Sequence, residues 1–322
     1  MYIRRVIVVR LLLLQTIVVA FLFALTAPAS AAISSTVTLQ AAVSSTPTSP
    51  LADTTVNLYC RLKSGNKIYS VSGSGVVISE RGVILTNAHV AQYFLLAKEK
   101  GRVTGDCSVR TGSPAKDTYD AAILYISPEW LEKNVSKISE KTPKGTGEND
   151  FALLYITGAK KELPTQFLSL PVNIFATTSE AMAATVVGYP SEGLDFKAIR
   201  NKLKMVAATS SITDIRAFDR SGQPDTISLS TSDAVKSGVS GGPIANFKGE
   251  LIGIAAVKSS AKENPTLRGI TISYINRILF TEAGVALPSI LTGDLSVRAS
   301  STRASISEDT LQDLESGLRK KK

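Results

Sequence analysis

Residues 73–90 read GSGVVISERGVILTNAHV. Two short apolar runs, GVVIS and GVILT, flank the polar turn Glu80-Arg81, a pattern that predicts a β-hairpin. Its last residue but one is His89, the single histidine among 322 residues. An unperturbed imidazole titrates close to neutrality, so a lone copy placed directly after a hairpin is a candidate for proton transfer. Taken alone it reads equally well as a packed, hydrogen-bonded side chain.

Outward from this hairpin the same texture continues. VNLYCRL precedes it, and CSVRT, DAAILYI, FALLYI, AATVVGYP, KMVAATSSI, TISLST, PIANF, ELIGIAAVK and GITISYI follow, separated by Gly, Pro, Asn and Ser breaks. About a dozen short strands with turns between them predict an all-β barrel or sandwich rather than alternating strands and helices. A short helical turn is expected after His89, in AQYFLLAKEKG. Residues 128–149, PEWLEKNVSKISEKTPKGTGEN, read as a polar surface loop with some helix. Beyond Pro288, TGDLSVRASSTRAS reads as a linker and ISEDTLQDLESGLRKKK as a short helix, acids first and bases last, as the helix dipole favours. Its thin stripe of Ile306, Leu311, Leu314 and Leu318 suggests an exposed or partner-dependent helix.

With 44% hydrophobic and 20% charged residues, the chain has the composition of an ordinary folded protein. The net charge of +9 gathers at the ends, with Arg4, Arg5 and Arg10 at the start and Arg319 to Lys322 at the close. No basic stretch with interleaved aromatics suggests a nucleic-acid groove, so no nucleic-acid partner is expected. Residues 1–31 run from a basic segment through an apolar one to Ala29-Ser30-Ala31, the order of a secretory signal peptide cut before Ala32. A retained membrane anchor is the competing reading, because Val6 to Pro28 is nearly long enough to span a bilayer. On either reading the chain is exported, to a secreted, periplasmic or cell-envelope location. Residues 32–52 read as a flexible leader rich in Ser, Thr and Pro.

Two cysteines, Cys60 and Cys107, lie in the exported part. In an oxidising compartment they form either a disulfide or two buried thiols. A bridge would close a loop worth about 4 kcal/mol on the chain-entropy model. One histidine and two distant cysteines cannot build a zinc site, so neither metal nor cofactor is implied.

The chemistry concentrates in three places. GSGVVISERGVILTNAHV holds His89, ENDFALLYI holds Asp150, and KSGVSGGPIAN holds Ser240. A serine is a poor nucleophile without a base, and a histidine base needs a carboxylate to set its tautomer. The glycines around Ser240 allow a tight turn that can aim the N–H groups of Gly238 and Ser240 at a developing oxyanion. A second aspartate, Asp120 in YDAAILYI, competes with Asp150 for the third role.

In this order the motifs resemble those of trypsin-like (chymotrypsin-fold) serine proteases, and most closely the bacterial HtrA/Deg-like group. The resemblance covers about residues 56–282. It implies two antiparallel six-stranded β-barrels with the active site in the cleft between them, a protease domain over residues 53–288, and residues 289–322 as linker and tail helix. It further implies a serine endopeptidase acting on polypeptides through an acyl-enzyme, with His89, Asp150 and Ser240 as the triad. On the family alignment TYDAAILYISPEW matches the strand before the aspartate strand, which favours Asp150 and makes Leu131–Asn149 an insertion.

Departures from the pattern carry expectations of their own. Val239 occupies the place of the aspartate that switches on trypsin-type zymogens, so that switch is not expected. Ala234 lies at the base of the specificity pocket, with Ala256 and Val257 on the facing wall and Asp233 adjacent. Small or medium aliphatic side chains are therefore expected before the cut bond. The tail is too short for a PDZ domain, so peptide-gated activation is not expected. The alternative function is a catalytically silent protease-like module that binds peptides or envelope components.

Overall fold

The computed structural model describes residues 50–98, 100–138, 146–219, 222–230, 238–258 and 266–320. The expected signal peptide and nearly all of the leader lie outside the described residues, as do Asp233 and Ala234.

A short helix, α1 (Pro50–Asp53), leads into β1 (Thr55–Ser64), β2 (Lys67–Ser79) and β3 (Val83–Thr86). After α2 (Ala88–Ala91) come β4 (Val103–Thr111), β5 (Lys116–Ile126), α3 (Pro128–Asn134) and β6 (Ala152–Ala159). These six strands close a barrel in the order β1-β2-β3-β6-β5-β4. A second closed barrel, β10-β11-β12-β9-β8-β7, uses β7 (Ala183–Gly188), β8 (Val206–Arg216), β9 (Thr226–Ser230), β10 (Pro243–Asn246), β11 (Leu251–Lys258) and β12 (Thr266–Thr271). Helix α4 (Phe196–Lys202) lies between β7 and β8. Four helices follow β12: α5 (Ile272–Ala283), α6 (Leu287–Ile290), α7 (Leu295–Ser305) and α8 (Glu308–Lys320). Each of the dozen apolar runs supplies strand residues, and the two six-stranded barrels are those that the resemblance implies.

Alternation along the strands explains why two barrels stack. In β3, Ile84 points into the first barrel while Val83 and Leu85 join a layer with Val187, Ile254 and Ile270 of the second. Successive side chains face opposite sides of a strand, so a strand apolar on both faces is buried on both. The second barrel has its own interior of Val186, Ile212, Ile227, Ile244 and Leu267. Cys60 and Cys107 face each other across the β1–β4 pair and are joined in a disulfide.

The local readings differ from the structure in four places. GITISYI is strand only to Thr271, whose side chain accepts from Tyr274 N–H and starts α5. The helical turn expected from Ala91 begins three residues earlier, at Ala88, and so contains the histidine. The polar loop after β5 buries Trp130, Leu131 and Ile138. The stretch read as a linker is α7, capped by Asp294, which accepts from Ser296 and Val297 N–H at 3.0 Å.

The tail helix α8 is not exposed either. Leu311, Leu314 and Leu318 pack with Leu96, Leu131 and Ile138 against the first barrel. Lys98 Nζ meets Glu315 at 2.5 Å, and a Cβ on Gly317 would stand 2.7 Å from Ile138 Cγ2. The helix therefore seats closely on the turn below α3. Truncating the fully buried Leu314 to alanine is expected to lower stability by about 3 kcal/mol. The check is a shifted urea midpoint at unchanged slope.

Candidate active site

The β2–β3 hairpin presents Ser74 and Thr86 to the serine turn of the second barrel, and Asn87 leads from it into α2, which carries His89. Asn87 is fully buried; its carbonyl accepts from Val90 and Ala91 N–H, and its Nδ2 donates to Asp150 O at 2.8 Å. That bond ties the start of α2 to the loop before β6. Asp150, itself buried, uses both carboxylate oxygens on one residue: His89 N–H reaches Oδ1 at 2.9 Å, and His89 Nδ1 lies 2.7 Å from Oδ2. An ionised carboxylate only accepts, so this pairing puts the ring proton on Nδ1 and leaves Nε2 as an acceptor.

The serine turn is built against this hairpin at distances that only glycine permits. A Cβ on Gly241 would lie 2.2 Å from Ser74 O and 2.3 Å from Thr86 Oγ1; on Gly238 it would lie 2.5 Å from Tyr189 O. Both residues also hold positive φ, 83° and 107°, which glycine adopts without steric penalty. Ser74 grips the turn with three bonds. Its N–H donates to Ser240 O at 2.8 Å, its hydroxyl donates to Gly238 O at 2.8 Å, and it accepts from Tyr189 N–H at 2.9 Å. Val239 O accepts from Gly242 N–H at 2.8 Å, so the N–H of Ser240, trans to that carbonyl, points the opposite way.

The Ser240 hydroxyl donates to Ala256 O at 3.0 Å rather than to His89. His89 and Asp150 are thus directly bonded, whereas the Ser240 hydroxyl is turned toward β11 and its neighbour Gly241 packs against Thr86 and Asn87, two residues before His89. Rotation about χ1 to another staggered well is what redirects its oxygen. Asp120 is elsewhere, half-exposed on β5, with Lys160 Nζ at 2.6 Å. Ala256 is buried, and Val257 pairs with Arg268 across β11 and β12.

The motifs alone did not single out three contributors. Ser74 sits inside the quoted GSG, where a polar residue between two glycines is the only clue. Tyr274 and Asn149 meet across 125 positions: Tyr274 OH donates to Asn149 Oδ1 at 2.6 Å and accepts from Asn149 N–H at 3.1 Å. Burial, chiefly, pushes the Tyr274 phenol up, so it stays protonated and able to donate.

A family model for the trypsin-like peptidase domain matches residues 73–254. The chain is also 27% identical over 197 residues to "Serine protease HTRA2, mitochondrial" of Bos taurus. That alignment covers 61% of this chain and 33% of the relative, so the chain spans about a third of the relative's length.

Proposed function

This chain belongs to the family of trypsin-like peptidase domains, and on that premise we propose that it is an exported serine endopeptidase with His89, Asp150 and Ser240 as its triad. The observation that carries the reading is the double contact of Asp150 with His89, which leaves Nε2 free to accept a proton. Ser240 leaves the Ala256 carbonyl, gives its proton to His89 Nε2, and its oxygen attacks the substrate carbonyl carbon. The negative charge that develops on the carbonyl oxygen meets the N–H groups of Gly238 and Ser240. His89 then donates its proton to the departing amine, and water repeats the sequence on the acyl-enzyme. Asp150 stays ionised and stabilises the imidazolium.

Substrates are polypeptides. With Ala256 on one wall and, by the resemblance, Ala234 expected at the base, a cationic side chain would lose its solvation without a partner, which costs several kcal/mol. Small or medium aliphatic residues before the cut bond are the expected preference. Export rests on residues 1–31 alone, with signal peptide and anchor as its two forms.

The test is a fluorophosphonate probe on the protein, followed by cleavage of a mixed peptide library. Stoichiometric labelling at Ser240 and cuts after Ala, Val or Leu are expected. No labelling would leave the silent, peptide-binding module as the better reading. A dominant Lys or Arg preference would put Asp233 in the pocket instead of Ala234.

A further inference from the structure

Asn149, directly before Asp150, has a backbone that most residues avoid. Its φ is 55°, in the left-handed region, where asparagine is among the few tolerated side chains. It is also buried, and its polar groups are occupied from two other elements. Tyr274 of α5 takes the backbone N–H and gives its own proton to Oδ1. Nδ2 donates to Glu129 of α3 at 2.9 Å and to Glu282 of α5 at 3.4 Å. Glu282 is in turn held by Ser127 Oγ at 2.9 Å and by the Tyr125 hydroxyl. On the far side, Asn87 takes the Asp150 carbonyl.

This is more fixation than a surface turn needs. One phenol bonded to both the N–H and the side chain of a single residue leaves that residue little freedom in φ. The direction in which the next residue projects follows from that angle. We propose that Asn149, clamped by Tyr274, Glu282 and Glu129, is a positioning residue that aims the Asp150 carboxylate at His89. The proposal rests on the triad reading, and it assigns α5, which follows the second barrel, a part in the geometry of a site otherwise built from α2, barrel strands and their loops.

The test uses Tyr274→Phe and Asn149→Gly in the full chain. Phenylalanine keeps the ring, which packs edge-on to Phe218 at 5.0 Å, and removes only the hydroxyl. Glycine keeps access to positive φ and removes only the side chain. Because His89 is the sole histidine, the low-field proton resonance of its Nδ1–H bond to Asp150 is unambiguous. The expected result for Tyr274→Phe is a kcat about tenfold lower at unchanged KM, since a small misplacement is felt strongly in the chemistry. The Nδ1–H resonance should move upfield or broaden, and Asn149→Gly should do the same. A merely structural role would lower the melting temperature yet leave kcat and the resonance of the folded protein where they were, and that outcome overturns the proposal. The resonance can be read in a Ser240→Ala background. Absent hydrolysis therefore counts against the proposed function, whereas an unmoved resonance counts against the clamp.

Discussion

Replacing Ser240 by alanine is expected to lower turnover on the order of 10⁶-fold while the protein remains folded. The size follows from the role: without the oxygen there is no acyl-enzyme, and the donors of the turn and substrate binding are all that remain. The intact fold follows from the contacts. The Ser240 side chain makes one bond among the described residues, to Ala256 O, and the turn is held through backbone groups gripped by Ser74. Losing that bond costs about 1 kcal/mol. Steady-state hydrolysis of a peptide substrate, with a urea melt alongside, checks both halves. Activity within tenfold of the unaltered chain would take Ser240 out of the chemistry.

Asp150→Asn is expected to cost about 10⁴ in kcat by reversing the histidine tautomer. The geometry says how. The amide oxygen can still accept from His89 N–H, where Oδ1 now sits at 2.9 Å. The amide NH₂ then faces His89 Nδ1, which must become an acceptor, so the ring proton moves to Nε2. An Nε2 that already carries a proton cannot take one from serine. The control is Asp120→Asn, which breaks only an exposed pair with Lys160 and should leave turnover within about twofold. If Asp120→Asn were the more damaging change, the third member of the triad would be misassigned.

The all-β class was legible because short apolar runs between turn residues are a local signal, whereas the two barrels came with the family resemblance. VILT reads as strand, and its burial on both faces shows that something must cover each side. Where two signals overlap, the reading stops short. GITISYI continues the β pattern, but Thr271 is also an N-cap, and Ile272, Ile275 and Leu279 recur at helical spacing on α5. Helix α7 was missed because LSVRASSTRAS is mostly polar. Its anchors are few: the Asp294 cap, buried Leu295 and Ala299, and Thr302 Oγ1 donating to Leu124 O at 2.8 Å. Within the candidate site, His89 stood out as the sole histidine and Ser240 through the glycine-rich motif around it. Ser74 and Tyr274 did not, since a serine between glycines and a tyrosine on a helix acquire meaning only from partners more than a hundred positions away.

The grip of Ser74 on Gly238 spans 164 positions and joins the second strand of the first barrel to the last turn before β10. During synthesis, His89 and Asp150 emerge and can pair while the serine turn has yet to be made. That turn can take its shape only once it meets Ser74, Thr86 and Asn87, because Gly241 leaves no room between it and them. Long-range contacts of this kind form late, after the loop-closure entropy has been overcome. On the proposed triad, a nascent or half-melted chain is accordingly chemically silent, and Ser240 becomes a nucleophile only in the finished molecule.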